Sequence, residues 1–443
     1  MRTAFFRRIA PSFALAAVLG VGAGVSSVAS TGCGSSTDTP ATPATTVKTA
    51  RSELARNLAP AVDDATLATF VADDNAFGLD LYGRLAKKDP SKNTFFSAAS
   101  VSQAFAMLYG GSRGATEQEI AKGLRFTLPQ DKLHAAANRL ALELDSRANV
   151  AGSKGSDGKG FRLTMNNAFW GQETIEWEKP YLDLLAVNYG AGINLVDFVK
   201  APEDARGTIN AWTEEKTEKR IKELLPAGSL DTSTVFVLVN TVYFNAAWVE
   251  ELQPSTLTWT TGAEVPAFGS VDGFGYAEND DGYAVSIPYE GRKLEFVVLV
   301  PKDLTAFEAS LSPAKVDAFL GALSPKQLDL KVPKLKIEGK TISLKEELIA
   351  LGLTTIFDHG DFTGMAKGAG FLVDDVYHQA FVKVNEKGTE AAAATAIVGR
   401  ETSAAIDPPK VVRVDRPYVF FVRDVPTKAI LFTGRVVSPE YSE

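Results

Sequence analysis

Cysteine is nearly absent from this chain: 443 residues hold one, Cys33. A lone cysteine excludes intramolecular disulfides and any cysteine-rich zinc or iron–sulfur centre. Histidine is almost as scarce, and His134, His359 and His378 are too scattered to form a His-Glu-x-x-His helix. Metal and redox chemistry therefore lack their usual ligands, and neither a metal nor a cofactor is expected. No run of basic residues occurs, and 46 lysines and arginines against 54 aspartates and glutamates leave a net charge of −8. That balance argues against a nucleic-acid groove or a cationic membrane-binding face. What is present is an ordinary globular composition, 45% hydrophobic and 23% charged, on a length that by itself predicts two or three domains.

The first eight residues carry Arg2, Arg7 and Arg8 and no acid, and the stretch 9–29 is apolar or small throughout. A basic start followed by such a run reads as a secretory signal. A membrane-spanning helix is the alternative for about 20 apolar residues, although Pro11, Gly20, Gly22 and Gly24 interrupt it. Cys33 follows directly in Ser30-Thr31-Gly32-Cys33, which resembles a bacterial lipoprotein processing box with Ser30 in place of the usual leucine-like residue. The expectation is a signal over 1–32 and lipidation at Cys33, with ordinary cleavage near Ala29 as the rival. Residues 33–54, rich in Ser, Thr, Pro and Ala and without periodicity, read as a disordered tether. The folded body is expected over 55–443.

Within the body, Phe70, Phe77, Leu81 and Leu85 recur at helical spacing and predict a helix over 66–87, stopped by Asp89-Pro90. Residues 95–109 read as a second, almost wholly buried helix. Further helical patterns cover 116–124, 131–146, 177–188, 202–214 and 343–352. Residues 235–244 have the β-branched and aromatic content of a central strand buried on both faces. Strands are also predicted over 283–288, 294–301, 328–336, 380–384, 418–423 and 429–437. Helices gather early and strands late, an α+β arrangement. The glycine-rich segment 152–160 reads as a flexible surface loop.

Two segments invite a chemical reading. Gly110-Gly111-Ser112-Arg113-Gly114 matches the G-x-S-x-G of serine hydrolases, but that elbow needs a strand leading into the serine. A helix leads in here, and a helix ending on glycine is the plainer account. Residues 386–406 are the more informative. They are alanine-rich, lack proline and follow a predicted strand. Read with period two, Thr389, Ala391, Ala393, Thr395, Ile397 and Gly399 form a small, uncharged set. Glu390, Ala392, Ala394, Ala396, Val398 and Arg400 form the other, which holds the charges. That is the pattern of a strand with one face in a crowded core. An alanine-rich helix is the competing reading, and these residues alone do not separate the two.

Here the chain resembles a known family. Val384–Glu390 with Ala391, Ala392, Ala393 and Ala394 is similar to the reactive-loop hinge of the serpins, the inhibitors of serine proteases. Asn93–Leu108 resembles the start of the family's helix B, and Leu238–Trp248 its central strand and breach. Asp415–Val422 and Phe432–Pro439 resemble its C-terminal signature. The likeness covers about residues 60–440 and implies one domain of three sheets and about nine helices, with an exposed reactive loop.

The resemblance also implies a function and a site. The loop is a bait: a protease attacks one of its peptide bonds, and the cut loop inserts as a new central strand of the main sheet, trapping the acyl-enzyme. The chain is then an irreversible inhibitor of serine proteases and not an enzyme. The alternative within the family is a non-inhibitory serpin acting as a chaperone or binding protein. Glu386, Gly388, Thr389, Ala391–Ala394 and Thr395 would form the hinge. Counting along from Glu386 at the family's usual distance places the attacked bond at Thr402-Ser403, which suits elastase-like or subtilisin-like pockets. Arg400-Glu401 is the rival, for a trypsin-like target that needs a cation; bonds from Ala404 to Ile406 are the remainder. Ser97, Ser100, Asn240 and His378 correspond to the shutter, a polar cluster under the main sheet, with Ala98 replacing a usual proline. Trp248 corresponds to the breach tryptophan. Segment 131–146 has few basic residues, so no polyanionic cofactor is implied. The expected partner is a target protease. No nucleic acid is expected, nor membrane contact beyond the N-terminal lipid, and the chain should be a monomer.

Overall fold

The computed structural model describes residues 47–338, 341–368, 372–390 and 408–442. Cys33, the hinge residues Ala391–Ala394 and Thr395, and both candidate bonds, Thr402-Ser403 and Arg400-Glu401, lie outside the described residues. Among the described residues there are nine α-helices: α1 (Asp64–Lys88), α2 (Ala98–Gly111), α3 (Gly114–Gly123), α4 (Gln130–Asp145), α5 (Lys179–Tyr189), α6 (Pro202–Lys216), α7 (Leu304–Ala309), α8 (Pro313–Ala322) and α9 (Lys345–Ala350). Early strands are β1 (Lys48–Ala50), β2 (Thr94–Phe96), β3 (Arg162–Gln172), β4 (Ile193–Val196) and β5 (Phe236–Ala247). A middle group comprises β6 (Gln253–Thr258), β7 (Glu264–Asn279), β8 (Gly282–Pro288), β9 (Leu294–Pro301), β10 (Ser324–Pro333), β11 (Leu335–Glu338) and β12 (Ile342–Ser343). The last are β13 (Val376–Asn385), β14 (Gly388–Thr389), β15 (Lys410–Arg413), β16 (Tyr418–Asp424) and β17 (Ile430–Val436).

The first sheet runs β1-β4-β3-β5-β14-β13-β11, with β12 also on β13; the second runs β15-β10-β7-β8-β9-β16-β17-β2, with β6 on β7. The second and third sheets that the resemblance implies are continuous through β7. Its residues 264–276 pair with β6 and β10, and 275–279 pair with β8. Helix α2 lies between the sheets, packed on β3 and β5 below and β17 above, and Val101, Phe105 and Leu108 are wholly buried. On the outer face, Ala205 and Ile209 of α6 pack with Trp170, Val237 and Val239. β5 is therefore covered on both sides, which is why its sequence is apolar without alternation.

Two expectations need correcting. The second helix starts at Ala98, not at residue 95, because the Ser97 side chain caps it by accepting from the Ser100 N–H. Phe95 and Phe96 instead belong to β2. Residues 47–54 do not belong to a disordered tether: Lys48–Ala50 pair antiparallel with β4, register Lys48↔Leu195 to Ala50↔Ile193. An edge strand needs only backbone groups to satisfy its neighbour, so composition gave no sign of it.

Candidate functional site

β5 and β13 run parallel and pair rung by rung from Leu238↔Val376 to Val242↔Ala380. Beyond that point they part. β14 fills the space, with Gly388 and Thr389 opposite Ala247 and Ala246 on one side and opposite Asn385 and Val384 on the other. The chain thus leaves β13, turns through Glu386-Lys387, and starts back between β13 and β5.

The turn is fixed from several directions. The Asn385 side chain accepts from the Lys387 N–H at 3.0 Å. The backbone N–H groups of Trp248 and Leu252 donate to the carbonyls of Lys387 (3.1 Å) and Glu386 (2.8 Å). The Trp248 indole N–H donates to the Asn385 carbonyl at 2.8 Å, and its ring stacks on Tyr289 at 4.6 Å between centroids. Glu386 pairs with Lys334 at 2.7 Å. Gly388 has φ +148°, and a Cβ there would lie 2.1 Å from the Ala246 carbonyl oxygen, so only glycine fits. Thr389 is buried, its hydroxyl 2.6 Å from that of Tyr289. Glu390 is buried as well and its carboxylate meets Arg220. Burial pushes its pKa up, against the lowering pull of that guanidinium.

Directly below the split, the side chains of Ser97, Ser100, Asn240 and His378 meet. His378 sits opposite Asn240 across the β13–β5 pairing. Its Nε2 accepts from the Ser97 N–H at 3.1 Å, so Nδ1 carries the ring proton and donates to Asn240 Oδ1 at 2.6 Å. Asn240 donates to Ser100 Oγ at 2.6 Å, and Ser97 Oγ donates to the Leu431 carbonyl at 2.7 Å. Complete burial lowers the His378 pKa to about 4, so the ring is neutral near pH 7. This cluster ties the two parting strands to α2 and to β17 of the second sheet.

A profile described as serpin (serine protease inhibitor) matches residues 72–439. The chain belongs to the serpin family. It is 33% identical over 387 residues to the leukocyte elastase inhibitor of Sus scrofa, covering 83% of this chain and 99% of that protein. An uncharacterized serpin-like protein of Methanosarcina acetivorans is 32% identical over 386 residues, covering 84% of this chain and 86% of that one. Native tengpin, a thermophilic serpin, superposes with a TM-score of 0.74 at 24% identity, over 88% of this chain and 100% of tengpin. The α+β fold is that of a serpin, and family membership implies a target protease as partner.

Sequence reasoning passed over five residues of this serpin's site: Ser156, Asn167, Arg220, Asn245 and Tyr289. Asn167 joins the shutter cluster, bonding Ser100 at 3.2 Å and Gln103 at 3.0 Å. Asn245 carried a signal that could have been read, since it is a lone amide in the apolar run of β5, as Asn240 is. Ser156 sits in the loop read as a flexible surface, yet it is buried. Ser112 is buried at the end of α2 with its hydroxyl donating to the Tyr109 carbonyl at 2.8 Å, which leaves no exposed elbow nucleophile there.

Proposed function

We propose that this serpin is a suicide-substrate inhibitor of serine proteases, held at the surface of a bacterial envelope by a lipid on Cys33. The observation that carries the inhibitory reading is β14: the first two rungs of a strand between β5 and β13 are already laid in the uncut chain. Thr389 faces the buried Tyr289, and continuing with period two sends Ala391, Ala393, Thr395, Ile397 and Gly399 to the same crowded face. The hinge is therefore small where it must be buried. Residues 389–402 would extend roughly 46 Å as a strand.

The energetics favour insertion once the loop is free. A strand entering between β5 and β13 breaks one ladder of backbone bonds and builds two. Each added bond is worth about 0.5–1.5 kcal/mol net. In the uncut chain the far end of the loop is held at β15 in the second sheet, so the ladder can close only slowly, at the cost of drawing that end away. Attack by the protease serine on the Thr402 carbonyl would release the Ser403 amine and leave Thr402 esterified to the enzyme. Insertion would then carry the attached enzyme along the sheet. Thr402-Ser403 favours elastase-like or subtilisin-like targets, and Arg400-Glu401 a trypsin-like one.

Incubation with one protease of each type should give an SDS-resistant complex, and the C-terminal fragment recovered under denaturation should begin at Ser403. A fragment beginning at Glu401 would move the target to trypsin-like enzymes. Thr389→Arg would bury an unpaired cation at a cost of several kcal/mol, so it should still be cut but form no complex; unchanged complex formation would refute insertion. For the anchor, Cys33→Ser should move the protein from the membrane fraction to the soluble one. Retention in the membrane fraction would exclude a lipid at that residue.

A further inference from the structure

The inserted segment leaves strand geometry at Glu390. Glu390 holds its backbone at φ +58°, a left-handed conformation that is costly for any residue but glycine. Its N–H is already in the ladder, donating to the Lys383 carbonyl. Its carbonyl is taken by side chains instead. Asn245 Nδ2 donates to it at 2.8 Å. The Ser156 hydroxyl donates to the same carbonyl and lies 2.8 Å from that of Thr389. Ser156 is in turn aimed by Asn245, whose Oδ1 accepts from the Ser156 N–H at 2.7 Å.

Both side chains are buried, and both belong to fixed structure. Asn245 is part of β5. Ser156 sits on a loop tied by the Gly155 N–H to the Lys159 carbonyl at 2.8 Å, and by Asp157 to Arg162 of β3 at 2.6 Å. Before Glu390 can take strand geometry, its dihedral has to change hand and these two bonds to its carbonyl have to break. Arg220 flanks the same point, with its guanidinium 5.5 Å from the ring centroid of Phe381, the first residue of β13 beyond the paired rungs.

We propose that Ser156 and Asn245 form a stop that holds the uncut loop at Thr389–Glu390 and sets how readily the rest of it enters the sheet. They are positioning residues, since they touch the hinge and not the bait bond. The proposal rests on the insertion reading above. It separates two quantities that insertion alone would tie together: how far the hinge is seated before attack, and how fast the remainder follows.

The test reads insertion without any target enzyme. Full-length protein is held a few degrees below its unfolding temperature, and the appearance of a urea-resistant form is followed with time. Ser156→Ala deletes a hydrogen bond made only in the held state and should convert roughly tenfold faster than the unsubstituted chain. Asn245→Ala, which removes the second donor, should also convert faster and serves if Ser156→Ala does not fold. Ser156→Thr keeps the hydroxyl and should convert at the unsubstituted rate. Conversion of Ser156→Ala at the unsubstituted rate or slower overturns the stop, and so does equal acceleration by Ser156→Thr, which would mark a packing effect. In a parallel arm the unsubstituted loop is nicked by a non-specific protease. If nicking yields the urea-resistant form while Ser156→Ala leaves the uncut rate unchanged, the stop fails and insertion stands. If nicking never yields it, the insertion reading fails and takes the stop with it.

Discussion

His378 is sealed beneath the first sheet with both ring nitrogens bonded, and His134 is buried with Nδ1 2.7 Å from the Tyr189 hydroxyl. Burial lowers each to about 4. An unfolded histidine takes up a proton below about 6.5, whereas these do so only near 4, so the fold loses stability as pH falls through that window. Asp74 acts in the opposite sense. It is buried on α1 against Phe70, Leu140 and Met165, and burial raises its pKa from 3.8 to about 7. Its stability cost grows as pH rises from about 4 to 7 and is then constant, at about 4 kcal/mol. Asp74→Asn should therefore raise the urea midpoint strongly at pH 8 and hardly at all at pH 4; an equal gain at both would rule out ionisation as the cause. The sequence marked His378 through its place in a motif. It gave no mark to Asp74, because one acid inside an amphipathic helix looks the same whether it faces water or core.

At the scale of elements, the patterns that were legible are those in which burial repeats regularly. α1, α4 and α6 show a helical stripe, and β5, β8, β9 and β16 are runs of apolar or β-branched residues, so their positions were readable to within a few residues. β3 and β7 were not. β3 carries Asn166 and Asn167 at its centre, and β7 carries Pro266, Gly269, Gly273 and Gly275, which read as turn residues. Gly269 is there because the neighbouring strand comes so close that a Cβ would lie 1.8 Å from the Leu330 carbonyl oxygen, a long-range contact invisible in local sequence. α7, at six residues, is too short to show a period. The split between β5 and β13 was likewise unreadable, because it depends on which strands become neighbours. The element that fills it gives a direct test. Gly388→Ala would force a methyl group against the Ala246 carbonyl and should expel β14 from the sheet. The loss of the bond from Trp248 to Asn385 and the opening of its surroundings should red-shift the tryptophan emission, and the melting temperature should fall. An unaltered spectrum and melting temperature would show that β14 tolerates the side chain.

For the whole molecule, the decisive feature is how the chain is shared between the two sheets. β13 and β14 end in the first sheet, and the strands after residue 408, β15, β16 and β17, belong to the second. There β16 lies between β9 and β17, and β17 lies between β16 and β2. Phe95 of β2 stacks on Phe420 and Phe432, at 5.7 Å and 5.2 Å between centroids. Arg147, joined to Asp424 at 2.6 Å in a buried ion pair, and Arg435, itself buried and joined to Glu308 at 3.2 Å, pin the same two strands. A cut anywhere between 390 and 408 therefore does not free the C-terminal piece, which is woven into the middle of a sheet made mostly by the other piece. Once hydrolysed, the cleaved protein is an interlocked heterodimer of two polypeptides, and the cut itself changes its composition only by one water.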